Sequence, residues 1–413
     1  MNRKINEIKQ LKKQKKKTEL EYGILTVFAM LTVLLIMSIF TGKSIFAENE
    51  YNTYALQADS WRQGRLDLGQ DYPWLEIASF EGKYYCSFPP FPSYVLFPLT
   101  FIFHSNTPDG LIMLILAVLS MAFLYKTALK VGVKPQTACI GALFFSMCTN
   151  YVFLFFNPMV WFMAQSMCFT LSVIACYAAI TQRGMLALFL WACSVGCRPM
   201  QITFLPVILL ILYIEHKNEH PSESLIKLIK QKWYWSLPCL AVAVSYMILN
   251  YLRFGSITEF GHNYLPEFMY KHKQFSPEYL SDNFKSLMHL PELSNGKIVI
   301  DSFGNFNIFV LNPAVLFFMA TLMISTVKKR KQESILAYTV LICCVGYLIF
   351  TMMHATMGGW HFGNRYFVDC IPWLFIPYVY VIRNQLNISK WQIPFFIWGL
   401  CLNVLGAITV YNR

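Results

Sequence analysis

The sequence predicts an all-α polytopic membrane protein of about eleven transmembrane helices, and three observations predict it. The 413 residues are 56% hydrophobic and only 14% charged, against about 25% charged residues in soluble domains. Apolar runs close to the roughly 20 residues that cross a bilayer recur along the whole chain. Lysine and arginine crowd into alternate connections between those runs, the bias that orients membrane proteins.

Taken in order, the segment 1-21 comes first, opening MNRKINEIKQLKKQKKK with eight Lys and Arg. Ahead of an apolar run it is a basic cytoplasmic tail that can touch anionic lipid, so the net charge of +12 needs no nucleic acid to explain it. The run 22-40 is too long for the core of a signal peptide, and no small-residue cleavage site follows it, so it is expected to be a retained first helix. A long connection, 41-109, holds the stretch FPPFPSYVLFPLTFIF from Phe88 to Phe103. This is apolar but short and broken by proline, which suits a juxtamembrane or re-entrant helix.

Further spans are expected near 110-126, 137-156, 158-181, 184-197, 198-214, 234-252, 308-327, 335-353, 366-382 and 392-411, so that 22-413 forms a single transmembrane domain. Starting inside, this map puts Lys126, Lys130, Lys134, Arg183, Lys217, Lys227, Lys230, Lys232, the run Lys328 to Lys331, Arg383 and Lys390 in the cytoplasm. With the N-terminal eight, that is 22 of the 34 Lys and Arg on one side. The N-terminus is then cytoplasmic and the C-terminus external. Both long loops, 41-109 and 253-307, fall on the outer face of the cell membrane with most of the Asp and Glu, so a binding or catalytic apparatus belongs there.

The twelve cysteines fall mostly inside apolar segments, as with Cys139, Cys148, Cys168, Cys343 and Cys344, and read as small core hydrophobes. Cys86 alone lies in an external loop, with no evident partner.

Several residues can carry chemistry. Glu48 and Glu50 (FAENEYNTY) follow the first helix directly, with Asp59, Asp67 and Asp71 beyond. A carboxylate at the membrane surface serves as a general base for a hydroxyl, as half of a divalent-metal site, or simply as a solvated loop end. Arg198 (CRPM), Arg253 (NYLRFG) and Arg365 (GNRYF) sit at external helix ends. There an arginine either grips a phosphate through bidentate hydrogen bonds or snorkels to lipid headgroups. His354 and His361 flank a GGW turn (MHATMGGWHFGNRYF), too few ligands to define a metal site. Trp360 suits stacking on a sugar ring, or a membrane interface. Phosphate-loop, dinucleotide, HExxH and GxSxG signatures are missing, so nucleotide-driven and serine-hydrolase chemistry have no support.

Four stretches carry a resemblance: ENEYNTYALQADSWRQGRLDL after the first helix, GKYYCSFPPFPSYVLFPL closing the first loop, NYLRFGSITEFGHNYL after the seventh, and GGWHFGNRYFVDCIPWLF opening the tenth. Together they resemble the GT-C class of multi-pass glycosyltransferases, the superfamily of protein O-mannosyltransferases and the aminoarabinose transferase of lipid A, especially a bacterial branch of it. The resemblance implies an inverting transfer of a sugar from a polyprenyl-phosphate donor to a glycan, lipid or protein acceptor at the outer face. It places the catalytic carboxylate in the first loop, at Glu48 or Glu50, where many members carry Asp and this chain has Glu-Asn-Glu. Glu50 adjoins the matching Tyr51 to Tyr54 segment, and Asp59 is a further catalytic candidate. Arg365, Arg198 and Arg253 become the donor-phosphate ligands, and His361, Trp360 and Tyr84 the sugar or acceptor contacts. A divalent metal ion stays open as a cofactor. The competing reading is a transporter or flippase of a lipid-linked glycan, against which the scarcity of charge inside the expected helices argues. A noncatalytic scaffold is a third reading.

Overall fold

The basic tail and the first span form one continuous helix, α1 (Asn2–Thr41), in the computed structural model of the chain. The model describes residues 2–44, 46–270, 273–294, 297–383 and 392–413, and Lys390 of the charge map lies outside them. The tail is helical because Lys, Gln and Glu are good helix formers, helped by the i,i+4 pairs Lys15–Glu19 and Lys17–Glu21.

The first long loop carries α2 (Thr53–Arg62), an antiparallel hairpin of β1 (Ile77–Phe80) and β2 (Lys83–Cys86), and α3 (Phe91–Phe103), the expected proline-broken helix. Glu81 and Gly82 both take positive φ, 48° and 72°, which is the turn geometry that twists a two-residue hairpin correctly. This hairpin is a local addition to an otherwise all-α architecture.

The bundle continues with α4 (Asp109–Val131), α5 (Pro135–Ser146), α6 (Tyr151–Phe155), α7 (Val160–Ile180), α8 (Gly184–Val195), α9 (Leu205–Glu219), α10 (Leu225–Lys232) and α11 (Leu237–Phe254). The second long loop holds α12 (Pro266–Tyr270), α13 (Leu280–Met288) and a small hairpin, β3 (Glu292–Ser294) with β4 (Lys297–Val299). It leads to α14 (Ile308–Leu311), α15 (Ala314–Val327), α16 (Lys331–Met352), α17 (Ile371–Ile382) and α18 (Gln392–Tyr411).

The protein is an all-α polytopic membrane protein, and among the described residues eight helical segments are long and apolar enough to cross a membrane. They match the expected spans except at three places. The segment 137-156 breaks into α5 and α6, where the backbone N–H of Asn150 leaves the helical ladder to donate to Asn312 Oδ1 at 2.9 Å. The segment 308-327 breaks at Asn312 and Pro313, whose ring nitrogen has no hydrogen to donate. The segment 184-197 gives only the 12-residue α8.

Helices α7 and α17 are buried on nearly every side and form the centre, while α1, α11 and α18 turn apolar faces outward, such as Ile24, Phe28 and Ile39 on α1. Those faces suit lipid, since a helix satisfies its own backbone there.

The bundle has two distinct ends. At one, Asn412 Nδ2 donates to Phe40 O at 3.0 Å and Arg413 Nη1 to Ile300 O at 2.7 Å, gathering the end of α1, the C-terminus and the second long loop. At the other, Tyr125 hydroxyl donates to Glu19 O at 2.7 Å, Arg330 Nη1 to Val381 O at 3.1 Å and Arg383 Nη2 to Glu333 Oε1 at 2.8 Å. Both long loops therefore stand at one end and the basic helix termini at the opposite one.

Candidate functional site

The loop end encloses a cavity of about 710 Å³. The first loop contributes Lys43, Tyr51, Glu76 and Phe88, the start of α7 Trp161 and Phe162, and the turn before α9 Arg198. The second loop adds Glu259, His262 and Glu267, and the glycine-rich turn after α16 adds His354, Gly358, Trp360, Arg365 and Tyr366.

Two arginines dominate its charge. Arg198 Nε donates to Asp369 Oδ2 at 2.9 Å. Asp369 is fully buried and also accepts from Tyr347 hydroxyl at 2.5 Å and Gln165 Nε2 at 3.0 Å. The Arg198 charge is thus matched by a carboxylate whose acceptors are engaged.

Arg365 differs. It is 5% exposed, and its guanidinium makes one side-chain hydrogen bond, from Nη1 to Gln165 Oε1 at 3.3 Å. Among the described residues no carboxylate lies within ion-pair distance of it. The Tyr366 ring lies 4.7 Å from the Arg198 guanidinium carbon and 4.8 Å from that of Arg365, so one aromatic ring helps to hold both cations.

Local sequence places Arg365. Gly358 has φ +104°, and a Cβ there would lie 2.8 Å from His361 Cε1 and 3.1 Å from Arg365 Nε. A glycine lets the turn cross over both side chains in a backbone conformation that other residues resist. His361 packs beneath that turn, with Nδ1 2.8 Å from Gly359 O and Nε2 without a hydrogen-bond partner among the described residues. Burial, then the nearby Arg365 charge, lowers its pKa to about 3, so it is neutral.

Of the acids on the cavity wall, Glu259 is engaged in its own turn, accepting from Gly261 N and Asn263 Nδ2, both at 2.6 Å. Glu76 faces the cavity from the start of the hairpin and accepts one hydrogen bond, from Trp161 Nε1 at 3.1 Å. The surrounding protein desolvates its carboxyl and raises the pKa, partly opposed by that hydrogen bond and by the positive field of Arg365. His262 and His354 stand 5.7 Å apart, ring to ring. Burial first, and each other's vicinity second, lowers His262 to about 4.

No family model matches the chain, and no curated protein matches it in sequence. Among solved structures it is similar to the apo-form crystal structure of the oligosaccharyltransferase of Archaeoglobus fulgidus, at 12% sequence identity and a TM-score of 0.44. The similarity covers 93% of this chain and 56% of that one, so this chain spans a little over half of that protein's length.

The residues singled out from the sequence divide into two groups. Arg365, Arg198, Trp360 and His354 line the cavity together. Trp360 packs against Tyr411 and Phe153, and Lys43 Nζ stands 6.0 Å from its ring.

The others do not line it. Glu48 and Glu50 are exposed, whereas Asn49 between them turns inward and donates to Asp109 Oδ2 at 2.7 Å and Pro158 O at 2.9 Å. Asp59 accepts from Arg62 Nε at 2.9 Å and Gln63 Nε2 at 2.7 Å. Tyr84 packs with the Leu68, Leu75 and Ile77 cluster. Arg253 is buried and committed to Gln57 Oε1 at 2.9 Å, Cys86 O at 3.2 Å and Asn250 Oδ1 at 3.0 Å, tying α11 to the first loop. His361 lies behind the wall rather than on it. Among the described residues no three of His, Cys, Asp and Glu gather as a metal ion would require.

Glu76 was missing from the sequence reading. The signal available was a single acid, WLEIASF, inside an otherwise apolar stretch of the loop. The cysteines are free thiols, ten of them buried, and Cys86 belongs with them, its thiol raised to about 11 by burial.

Proposed function

We propose that the protein is a GT-C-like glycosyltransferase, moving a sugar with inversion from a polyprenyl-phosphate donor to a hydroxyl acceptor at the outer face of the membrane. The observation that carries this reading is Arg365, a buried guanidinium on the wall of a large cavity with no carboxylate partner among the described residues. A buried charge without a counter-ion is costly, and a phosphate supplies that counter-ion with the bidentate geometry a guanidinium favours. Arg198, held by Asp369, packs on the same Tyr366 ring as Arg365.

Glu76 is the base that fits this cavity, because it stands on the cavity wall and Glu48 and Glu50 do not. A carboxyl poised above its ordinary range is closer to the operating pH, which favours proton transfer. The acceptor oxygen bonds to the anomeric carbon as its proton passes to Glu76. The bond from that carbon to the phosphate oxygen breaks, and the phosphate leaves with the electron pair beside Arg365. Trp360 offers a face for the sugar ring.

The test has two arms. Deletion of the gene should remove a surface glycan detectable by mass spectrometry, and purified protein in nanodiscs should release free polyprenyl phosphate from a sugar-charged donor, a release lost in Arg365→Ala and Glu76→Gln. Unchanged glycans together with no release from a panel of donors would end the enzyme reading. Movement of an intact lipid-linked glycan across vesicles, with no bond cleaved, would establish the flippase instead.

A further inference from the structure

Another hollow, of about 790 Å³, opens at the opposite, basic end of the bundle, between α1 and α4. Its floor exists because α1 carries glycine at position 23: a Cβ there would meet the Tyr125 ring at 3.2 Å. The Tyr125 hydroxyl, donating to Glu19 O at 2.7 Å, fixes the spacing of the two helices. From Lys16 to Leu31 the wall follows α1 over 15 helical rises, about 22 Å at 1.5 Å each, against about 15 Å of hydrocarbon in one leaflet.

The hollow has two chemically different halves. Toward Ile24, Phe28 and Leu31 it is apolar and open to the side of the bundle. At the other end stand Lys16 and Lys126, both exposed, and among the described residues neither has a carboxylate within ion-pair distance. Glu19, also at that end, lies 3.9 Å from Lys15 on the neighbouring face of α1. Lys126 Nζ rests 5.0 Å from the Phe123 ring.

We infer that this is a binding site for one anionic phospholipid of the leaflet at the basic end, with an acyl chain along the apolar half and the phosphate between Lys16 and Lys126. Charge complementarity chooses the occupant: two unpaired ammonium groups at the depth of a headgroup, above an apolar trough, match a negatively charged phospholipid and give a zwitterionic one no net attraction. A second copy of this chain would bring its own basic tail and place like charges together. The bound lipid completes the contact between α1 and α4 and braces the first helix against the bundle. The site is independent of the loop-end cavity.

Full-length protein, delipidated in detergent, is titrated with phosphatidylglycerol or phosphatidylcholine and read by native mass spectrometry. Each lysine near a headgroup adds about 1 kcal/mol of attraction, so the wild type should prefer phosphatidylglycerol about thirty-fold. A Lys16→Gln/Lys126→Gln variant should lose that preference, and Ile24→Trp, which fills the apolar half and leaves both lysines, should lose retention of phosphatidylglycerol. Lys12→Gln/Lys13→Gln, on the tail outside the hollow, should keep both properties. A preference that survives the first variant, retention that survives Ile24→Trp, or a preference erased by the tail variant would each overturn the assignment.

Discussion

Replacing Arg365 by lysine, and separately by alanine, probes the proposed phosphate site most directly. Of the five N–H groups of its guanidinium, one is held by Gln165 Oε1 at 3.3 Å, and the rest have no side-chain acceptor among the described residues. A phosphate engaging two of them gains two charge-assisted hydrogen bonds, each of about 1.5 to 3 kcal/mol. Alanine forfeits both, so donor affinity should fall by about 3 to 6 kcal/mol, a loss of more than a hundredfold. Lysine keeps the charge and one bond but not the fork, and should lose about 1.5 to 3 kcal/mol, roughly ten- to a hundredfold. Binding of a polyprenyl phosphate to protein in nanodiscs, measured by thermophoresis, separates the three proteins, with thermal unfolding followed alongside. Arginine, lysine and alanine proteins of equal affinity would refute the phosphate role. So would lysine and alanine variants equally weak and equally unfolded, because the side chain would then be structural.

Asp369→Ala should destabilise the protein by about 3 to 5 kcal/mol, since it strips Arg198, Tyr347 and Gln165 of their shared acceptor and leaves Arg198 uncompensated. An unchanged unfolding midpoint in detergent would contradict this. Glu76→Gln should abolish transfer, whereas a Glu48→Gln/Glu50→Gln double variant should keep it; the reverse pattern returns the base to the end of the first helix. Because desolvation raises the Glu76 carboxyl, the folded protein holds that proton more tightly than the unfolded chain. Stability therefore falls as pH rises from the ordinary carboxylate range through the raised value. Glu76→Gln should lack that fall and be at least as stable as the wild type at neutral pH, by pH-dependent unfolding. In intact cells, an impermeant thiol reagent should label cysteine placed at Lys285 and not at Lys329; labelling at Lys329 overturns the proposed orientation.

Much of the architecture was legible because membrane spans announce themselves by length and apolarity, which a single sequence displays. The limits of 158-181 and 366-382 fall within a few residues of the helical segments Val160–Ile180 and Arg365–Ile382. The breaks were less legible: between Ser146 and Tyr151 the helix is interrupted where the backbone N–H of Asn150 bonds to Asn312, 162 residues away. The site was legible in part. Arg365 sits in a glycine-rich turn whose backbone demands are local, so its prominence could be read directly. Glu76 could not be weighed, because its place on the wall depends on Trp161, 85 residues distant. At the Glu-Asn-Glu run, which of three neighbouring side chains points inward is decided by Asp109 and Pro158, partners that lie far along the chain. Arg253 looked equivalent to Arg365 in sequence, and only its three acceptors mark it as a tie between α11 and the first loop.

The meeting of Asn412 with Phe40 has a consequence for biogenesis. The two residues are 372 positions apart, and the segments they join, with Lys43 on one side and Tyr411 and Arg413 on the other, form part of one cavity wall. At about 5 to 20 residues per second of synthesis, the first helix waits in the membrane for about 20 to 70 seconds before α18 arrives. Throughout that interval the pocket stands open along a seam, which closes only once α18 has been inserted and docked against the end of α1.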